Sequence, residues 1–191
     1  MADLSISGAD AALGAILPAG TTFYLGLNTA DPGSTGAATT ALPFQSITFG
    51  TAASGSVAST SSQSFTNVPG SVTYTNYSVW SGPSTTLTTA LTSGTAYTSL
   101  AVDALPAALA VGATVTTVAG TATQTWTVST AASAGATTID VDSAAANAAY
   151  AAGSVVVEGT YVIGGALTSS VTPPAGSTID VAVGAITQAA S

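Results

Sequence analysis

Tyr74-Thr75-Asn76-Tyr77-Ser78-Val79-Trp80-Ser81 is the stretch whose reading decides the fold class. Along a strand successive side chains point to opposite faces. Thr75, Tyr77, Val79 and Ser81 therefore share one face, and Tyr74, Asn76, Ser78 and Trp80 share the other. Each face carries apolar bulk. Thr, Tyr, Val and Trp also favour pleated sheet.

Working outward, the same kind of segment recurs over most of the chain. Strands are predicted at Thr22–Asn28, Gln45–Gly50, Val57–Val68, Val72–Trp80, Thr85–Leu91 and Tyr97–Val102. They continue at Ala113–Val118, Thr123–Ser129, Thr137–Val141, Ser154–Val157, Tyr161–Leu167 and Thr178–Val183. Short strands with turn signals every 8–12 residues or so point to an antiparallel sandwich or barrel. One helix is predicted, over Leu4–Leu17. Ser7 and Asp10 resemble a capping box with Asp in place of Glu. Ala9, Leu13, Ile16 and Leu17 form an apolar stripe, and Pro18 and Gly20 end it. A second, short helix is read at Ala144–Ala151, where Ala dominates.

A small pattern repeats before several strands: small residue, Gly, small residue, Thr, then apolar residues. It stands at Ala19-Gly20-Thr21-Thr22, Val111-Gly112-Ala113-Thr114, Ala134-Gly135-Ala136-Thr137 and Ala175-Gly176-Ser177-Thr178. The reading is that each Gly supplies a turn with positive φ. The copies are too irregularly spaced for a solenoid.

The composition narrows the chemistry. The 191 residues include eight acids and no Lys, Arg, His or Cys, giving a net charge of −8. Ala, Ser, Thr and Gly make up 118 of them. A chain that is 47% hydrophobic, with a mean hydropathy of +0.55, is nevertheless no disordered acidic tail. There is no imidazole base, no thiolate and no Schiff-base amine. Nothing can clamp a phosphate by charge, and nucleic acid and anionic membranes should repel the chain. Disulfides and Cys/His zinc sites are impossible. Met1-Ala2-Asp3-Leu4 lacks the basic start of a signal peptide, and Ala11–Leu17 is too short to cross a bilayer. The expectation is a soluble product made in a cytoplasm.

Candidate sites are few. Asp31-Pro32-Gly33 is one end of a Ca²⁺ site or an ordinary turn, and the turn reading is preferred. Asp140-Val141-Asp142 puts two carboxylates on one strand face, as weak metal ligands or as solvation. Glu158 is the one Glu. Paired with Asp140 or Asp142 it would supply the two carboxylates a glycosidase needs, but the region offers only Tyr150 and Tyr161 as an aromatic shell. Trp80 and Trp126 are either stacking platforms for a ligand or anchors of a core or interface. No catalytic residue and no cofactor is assigned.

Phe23-Tyr24-Leu25-Gly26-Leu27-Asn28-Thr29-Ala30-Asp31-Pro32-Gly33-Ser34-Thr35-Gly36 resembles the opening strand and acidic Gly-rich loop of small tailed-phage virion proteins. These are the minor tail, head-fibre or decoration type, many from phages of actinobacteria. The likeness continues in Ser46–Val57, Phe65–Pro69 and Tyr77–Gly82, and resumes in Gly165–Val171, Pro174–Ile179 and Gly184–Thr187. It covers residues 20–84 and 159–188. Proteins of this type pass almost directly from the Trp strand to the Gly-Ala-Leu strand, whereas here Thr85 to Glu158 intervene.

The resemblance implies an all-β protein with a short N-terminal helical segment (1–19), an antiparallel β-sandwich (20–84 plus 159–191) and an inserted β module (85–158). It implies a non-enzymatic structural role on the capsid exterior or in the tail, with major capsid or tail proteins as partners. A homo-oligomer is expected, with a trimer as first choice by analogy with decoration proteins. The alternatives are a host-receptor or carbohydrate-binding module on the virion, and a bacterial cell-surface or S-layer-type domain. Phage structural genes beside this one would separate the first from the last. The chain departs from the family in carrying no Arg.

Overall fold

The computed structural model describes residues 5–36, 42–120 and 122–189. In chain order the elements are α1 (Ile6–Ile16), β1 (Thr22–Asn28), β2 (Gln45–Thr48), β3 (Ser56–Ala58), β4 (Gln63–Val68), β5 (Tyr74–Trp80), β6 (Ser84–Thr86) and β7 (Ala96–Ala101). They continue with β8 (Thr114–Ala119), β9 (Ala122–Thr127), β10 (Thr138–Ala145), β11 (Val155–Glu158), β12 (Tyr161–Val171), β13 (Ser177–Val181) and β14 (Thr187–Ala189). The fold is all-β, with antiparallel sheets packed together and one short helix.

Two four-stranded sheets dominate, in the orders β12-β5-β1-β2 and β6-β11-β8-β9. The pairs β10-β7, β13-β4 and β14-β3 complete the body. The stretch 74–80 is a central strand with both neighbours antiparallel. Its two faces are covered, Tyr77 and Val79 in one apolar cluster and Trp80 in another. Chain order and core membership go together. The first cluster takes Leu13 to Val79 from the front of the chain and Val181 and Ile186 from the back. The second runs from Leu87 to Val156. A third, Phe44, Trp80, Val118, Val155 and Val157, lies where the two large sheets meet.

The recurring glycines sit where the reading put them. Gly20, Gly112, Gly135 and Gly176 have φ of 74°, 80°, 82° and 75°. Each lies in a turn closed by the following N–H, as when Ala113 donates to the Ala110 carbonyl. Gly94, Gly153 and Gly184 build the same turn, with φ of 78°, 86° and 76°.

Four expectations change. Ser5, not Ser7, caps the helix, its hydroxyl accepting from the Gly8 N–H at 3.2 Å. Asp10 is spent elsewhere, accepting from the Gly55 N–H at 2.7 Å and tying the helix to a β-turn. Ala9, Leu13 and Leu17 are buried as expected, but Ile16 is 46% exposed; Leu4 lies outside the described residues. Val57–Val68 is not one strand: the chain breaks at residues 60–62 with a bend at Ser61, so β3 pairs with β14 and β4 with β13. Ala144–Ala151 is not a helix. Ala144 and Ala145 pair with Tyr97 and Ala96 instead, and Tyr150 exchanges hydrogen bonds with Leu91. Eight Ala-rich residues give too few helical bonds to outweigh those sheet bonds.

Residues 85–158 also hold an internal duplication. Gly112 N–H donates to Val128 O, and 41 residues on Gly153 N–H donates to Leu87 O. Leu109 and Ala132 exchange two bonds, as do their mates Tyr150 and Leu91. Gly135 donates to Leu105, and Gly94 donates to Ala146. The strand pairs obey the same shift: Thr116↔Thr125 becomes Val157↔Ser84, and Val115↔Trp126 becomes Val156↔Thr85. In β8-β11, Thr116 faces its own mate Val157. A pseudo-two-fold axis therefore passes between them, and each copy completes the other's sheets.

Candidate functional site

The richest constellation lies at the seam between the two large sheets. Tyr161, Trp80 and Tyr24 stand side by side across β12, β5 and β1. Trp80 meets the Tyr161 ring edge-on, centroids 5.5 Å apart, and Phe44 at 6.1 Å. Val118, Val155 and Val157 close the seam from the other sheet. Side chains so buried contribute roughly 1.5–3 kcal/mol each.

Close backbone approach makes this packing possible. A Cβ on Gly36 would run into Trp80, and one on Gly26 into Phe44. A Cβ on Gly82 would collide with the Glu158 carbonyl. The Asp31-Pro32-Gly33 loop belongs to the same arrangement, since Pro32 lies against Gly164. Asp31 Oδ1 accepts from the Gly33 N–H at 2.9 Å, which is an Asx turn and agrees with the turn reading.

Both tryptophans are anchors. Trp80 is 1% exposed and Trp126 2%, so both rings are enclosed, Trp80 behind Tyr161. Of the two readings of Trp80 and Trp126, this burial fits the core anchor better than the stacking platform. Their N–H groups are satisfied internally, as buried indoles require. Trp80 Nε1 donates to Ser78 Oγ at 3.1 Å, and Ser78 donates on to Asn28 Oδ1 at 3.2 Å. Trp126 Nε1 donates to Thr117 Oγ1 at 3.1 Å, and Thr117 donates to the Gln124 carbonyl. Ser78, Asn28 and Thr117 carry no sequence signal that marks them as partners; alternation alone put Ser78 on the Trp80 face.

Glu158 ends β11 with its side chain buried. Its Oε1 has no hydrogen-bond partner. The chain contains no cationic side chain to pair with it. Burial alone pushes its carboxyl up to about 7. Asp140 and Asp142 are exposed on β10, in a different sheet. Glu158, enclosed at the seam, thus lies in a different sheet from Asp140 and Asp142, either of which would have had to pair with it for glycoside hydrolysis. Among the described residues no three acids gather around a point that could hold a metal.

The other carboxylates hold the chain together. Asp103 accepts from Thr86 Oγ1, and Asp180 from Ser64 Oγ at 2.6 Å. Without cations, they are stabilised by N–H and O–H donors.

Two further buried polar atoms, Asn28 Nδ2 and the Tyr74 hydroxyl, lack partners. Tyr74 borders an apolar pocket of about 150 Å³ between Leu167 and Ile179. At the seam a second cleft, of about 240 Å³, opens between Tyr161 and the threonines of β8 and β9. No described helix is long and apolar enough to cross a membrane. Comparison with known proteins finds no matching family model, no matching curated protein and no matching solved structure.

Proposed function

We infer that the chain is a non-enzymatic structural protein of a tailed-phage virion, on the capsid exterior or in the tail, and that it works as an oligomer docked on a protein lattice. The resemblance of residues 20–84 and 159–188 to such proteins is the starting point. The observation that carries the reading is the outer edge of β12. Among the described residues this strand of 11 residues is hydrogen-bonded on one side only, to β5. No charged residue lies within Tyr161–Val171. At the other three ends of the two four-stranded sheets a loop or side chain bonds to the edge: Thr60 N–H donates to the Thr48 carbonyl, Asp103 N–H to Thr86 O, and Asn147 Nδ2 to Thr123 O. Proteins that remain monomeric guard such an edge with Lys, Pro or a covering segment. An edge left open and uncharged fits a neighbouring subunit, and a trimer is the arrangement we favour.

We read 20–84 with 159–191 as one unit and 85–158 as an insertion. The division of the apolar clusters between the two supports this, and so does the closed duplication within the second. Mass spectrometry of purified particles tests the role. Trypsin cannot cut a chain without Lys or Arg, so chymotrypsin is required. Many copies per particle are expected. Absence from particles, or a handful of copies at one tip, would defeat the decoration reading.

A further inference from the structure

The two copies of the duplication differ at the seam. In the second copy Val155 and Val157 fill the apolar cluster against Trp80 and Phe44. Their mates in the first copy are Thr114 and Thr116. The scaffold therefore accepts valine at these positions, and the threonine hydroxyls are not demanded by the fold. Thr114 and Thr116 instead line the cleft of about 240 Å³, together with Thr123 and Thr125 of β9 and a wall made by Tyr161 over Trp80.

Thr116 is 7% exposed as a residue, but its hydroxyl is open to the cleft and makes no hydrogen bond among the described residues. Among the described residues the hydroxyls of Thr114, Thr123 and Thr125 likewise make no hydrogen bond, and they line the same cleft. The contrast with the other copy is direct, because the mate of Thr125 is Ser84, whose hydroxyl accepts from the Phe44 N–H at 3.1 Å. Hydroxyls that open onto a cleft and are not bonded within the described protein are available to a ligand that enters from outside.

Hydroxyls both donate and accept, which matches the vicinal hydroxyls of a sugar. A half-buried tyrosine offers an apolar body beside a polar tip, suited to the C–H face of a sugar ring. The chain has no cation with which to hold an acidic sugar. Asp31 lies close enough to Tyr161 to act on it electrostatically, and would repel an anion. The cleft falls below the roughly 300–1,000 Å³ of sites for drug-sized ligands, so it suits a single ring.

We propose that this cleft binds one uncharged saccharide ring, held by the hydroxyls of Thr114, Thr116, Thr123 and Thr125 against Tyr161. The proposal is independent of the virion role: either can fail alone.

The test is saturation-transfer NMR on the full chain with glucose, galactose, mannose, rhamnose and N-acetylglucosamine, beside glucuronic and galacturonic acid. At least one neutral sugar should bind, and its acidic counterpart should bind about tenfold more weakly or not at all. Thr116→Val should weaken binding about tenfold, the usual effect of one lost hydrogen bond, with an unchanged thermal midpoint. Thr125→Val, at a more exposed position, gives a second reading should the first variant fold poorly. No binding of any neutral sugar, equal or better binding of the acids, or wild-type binding by the folded variants would overturn the proposal.

Discussion

Replacing Glu158 by Gln should make the protein more stable above neutral pH and leave it nearly unchanged below pH 4. Glu158 is 6% exposed, its carboxyl has one unpartnered buried oxygen, and its pKa moves from the ordinary 4.5 to about 7. Its pKa is raised in the folded state, so the unfolded chain releases the proton first. Between those two values folding stability falls as pH rises, by about 1.4 kcal/mol per unit, and it levels off above pH 7. The whole loss is about 3 kcal/mol, an upper figure because some contact with water remains. Gln keeps the shape and cannot ionise, so it removes this dependence. The assay is urea unfolding from pH 4 to pH 9, followed by the emission of Trp80 and Trp126. The difference between variant and wild type should open between pH 4.5 and 7 and then stay constant. A difference independent of pH, or a variant less stable than wild type at pH 8, would refute the reasoning.

Gly82→Ala sets a Cβ against the Glu158 backbone carbonyl and should cost more than 3 kcal/mol or abolish folding, roughly the upper range of single substitutions; Gly14→Ala, where a Cβ would meet nothing within 4 Å, should raise the thermal midpoint. Thr117→Val strands the buried Trp126 N–H and should cost about 1–3 kcal/mol by urea unfolding. Ser5→Ala should lose about 1 kcal/mol with the helix cap, whereas Ser7→Ala should be close to neutral.

Much of this fold was legible because turns and strands have local causes. A glycine before a threonine-rich apolar run marks a positive φ, and Gly20, Gly112, Gly135 and Gly176 all have one. The alternation at 74–80 correctly put apolar bulk on both faces of β5. What escaped has no local cause. Nothing in Thr60-Ser61-Ser62 announces a break, since serine and threonine fit strand and turn alike. The duplication is hidden because its glycine register needs Gly94 and Gly153, which carry different neighbours. Its copies also differ in bulk at mates such as Thr85 and Trp126, or Leu109 and Tyr150. Of the seam, Trp80 was visible as an anchor. Phe44, Tyr161 and the unengaged threonines become a site only when two sheets distant in sequence meet. Glu158 was conspicuous as the one Glu, but its enclosure depends on Gly82 lying against it.

The account rests most heavily on the open edge of β12. Sedimentation of the wild-type chain beside Thr168→Lys tests it. Thr168 is exposed on β12, and a lysine there places a charge on an edge that has none. The wild type should sediment as an oligomer and the variant as a folded monomer. A wild type that remains a monomer at high concentration, or a variant that assembles just as well, would contradict the claim that this edge joins the protein to its neighbours.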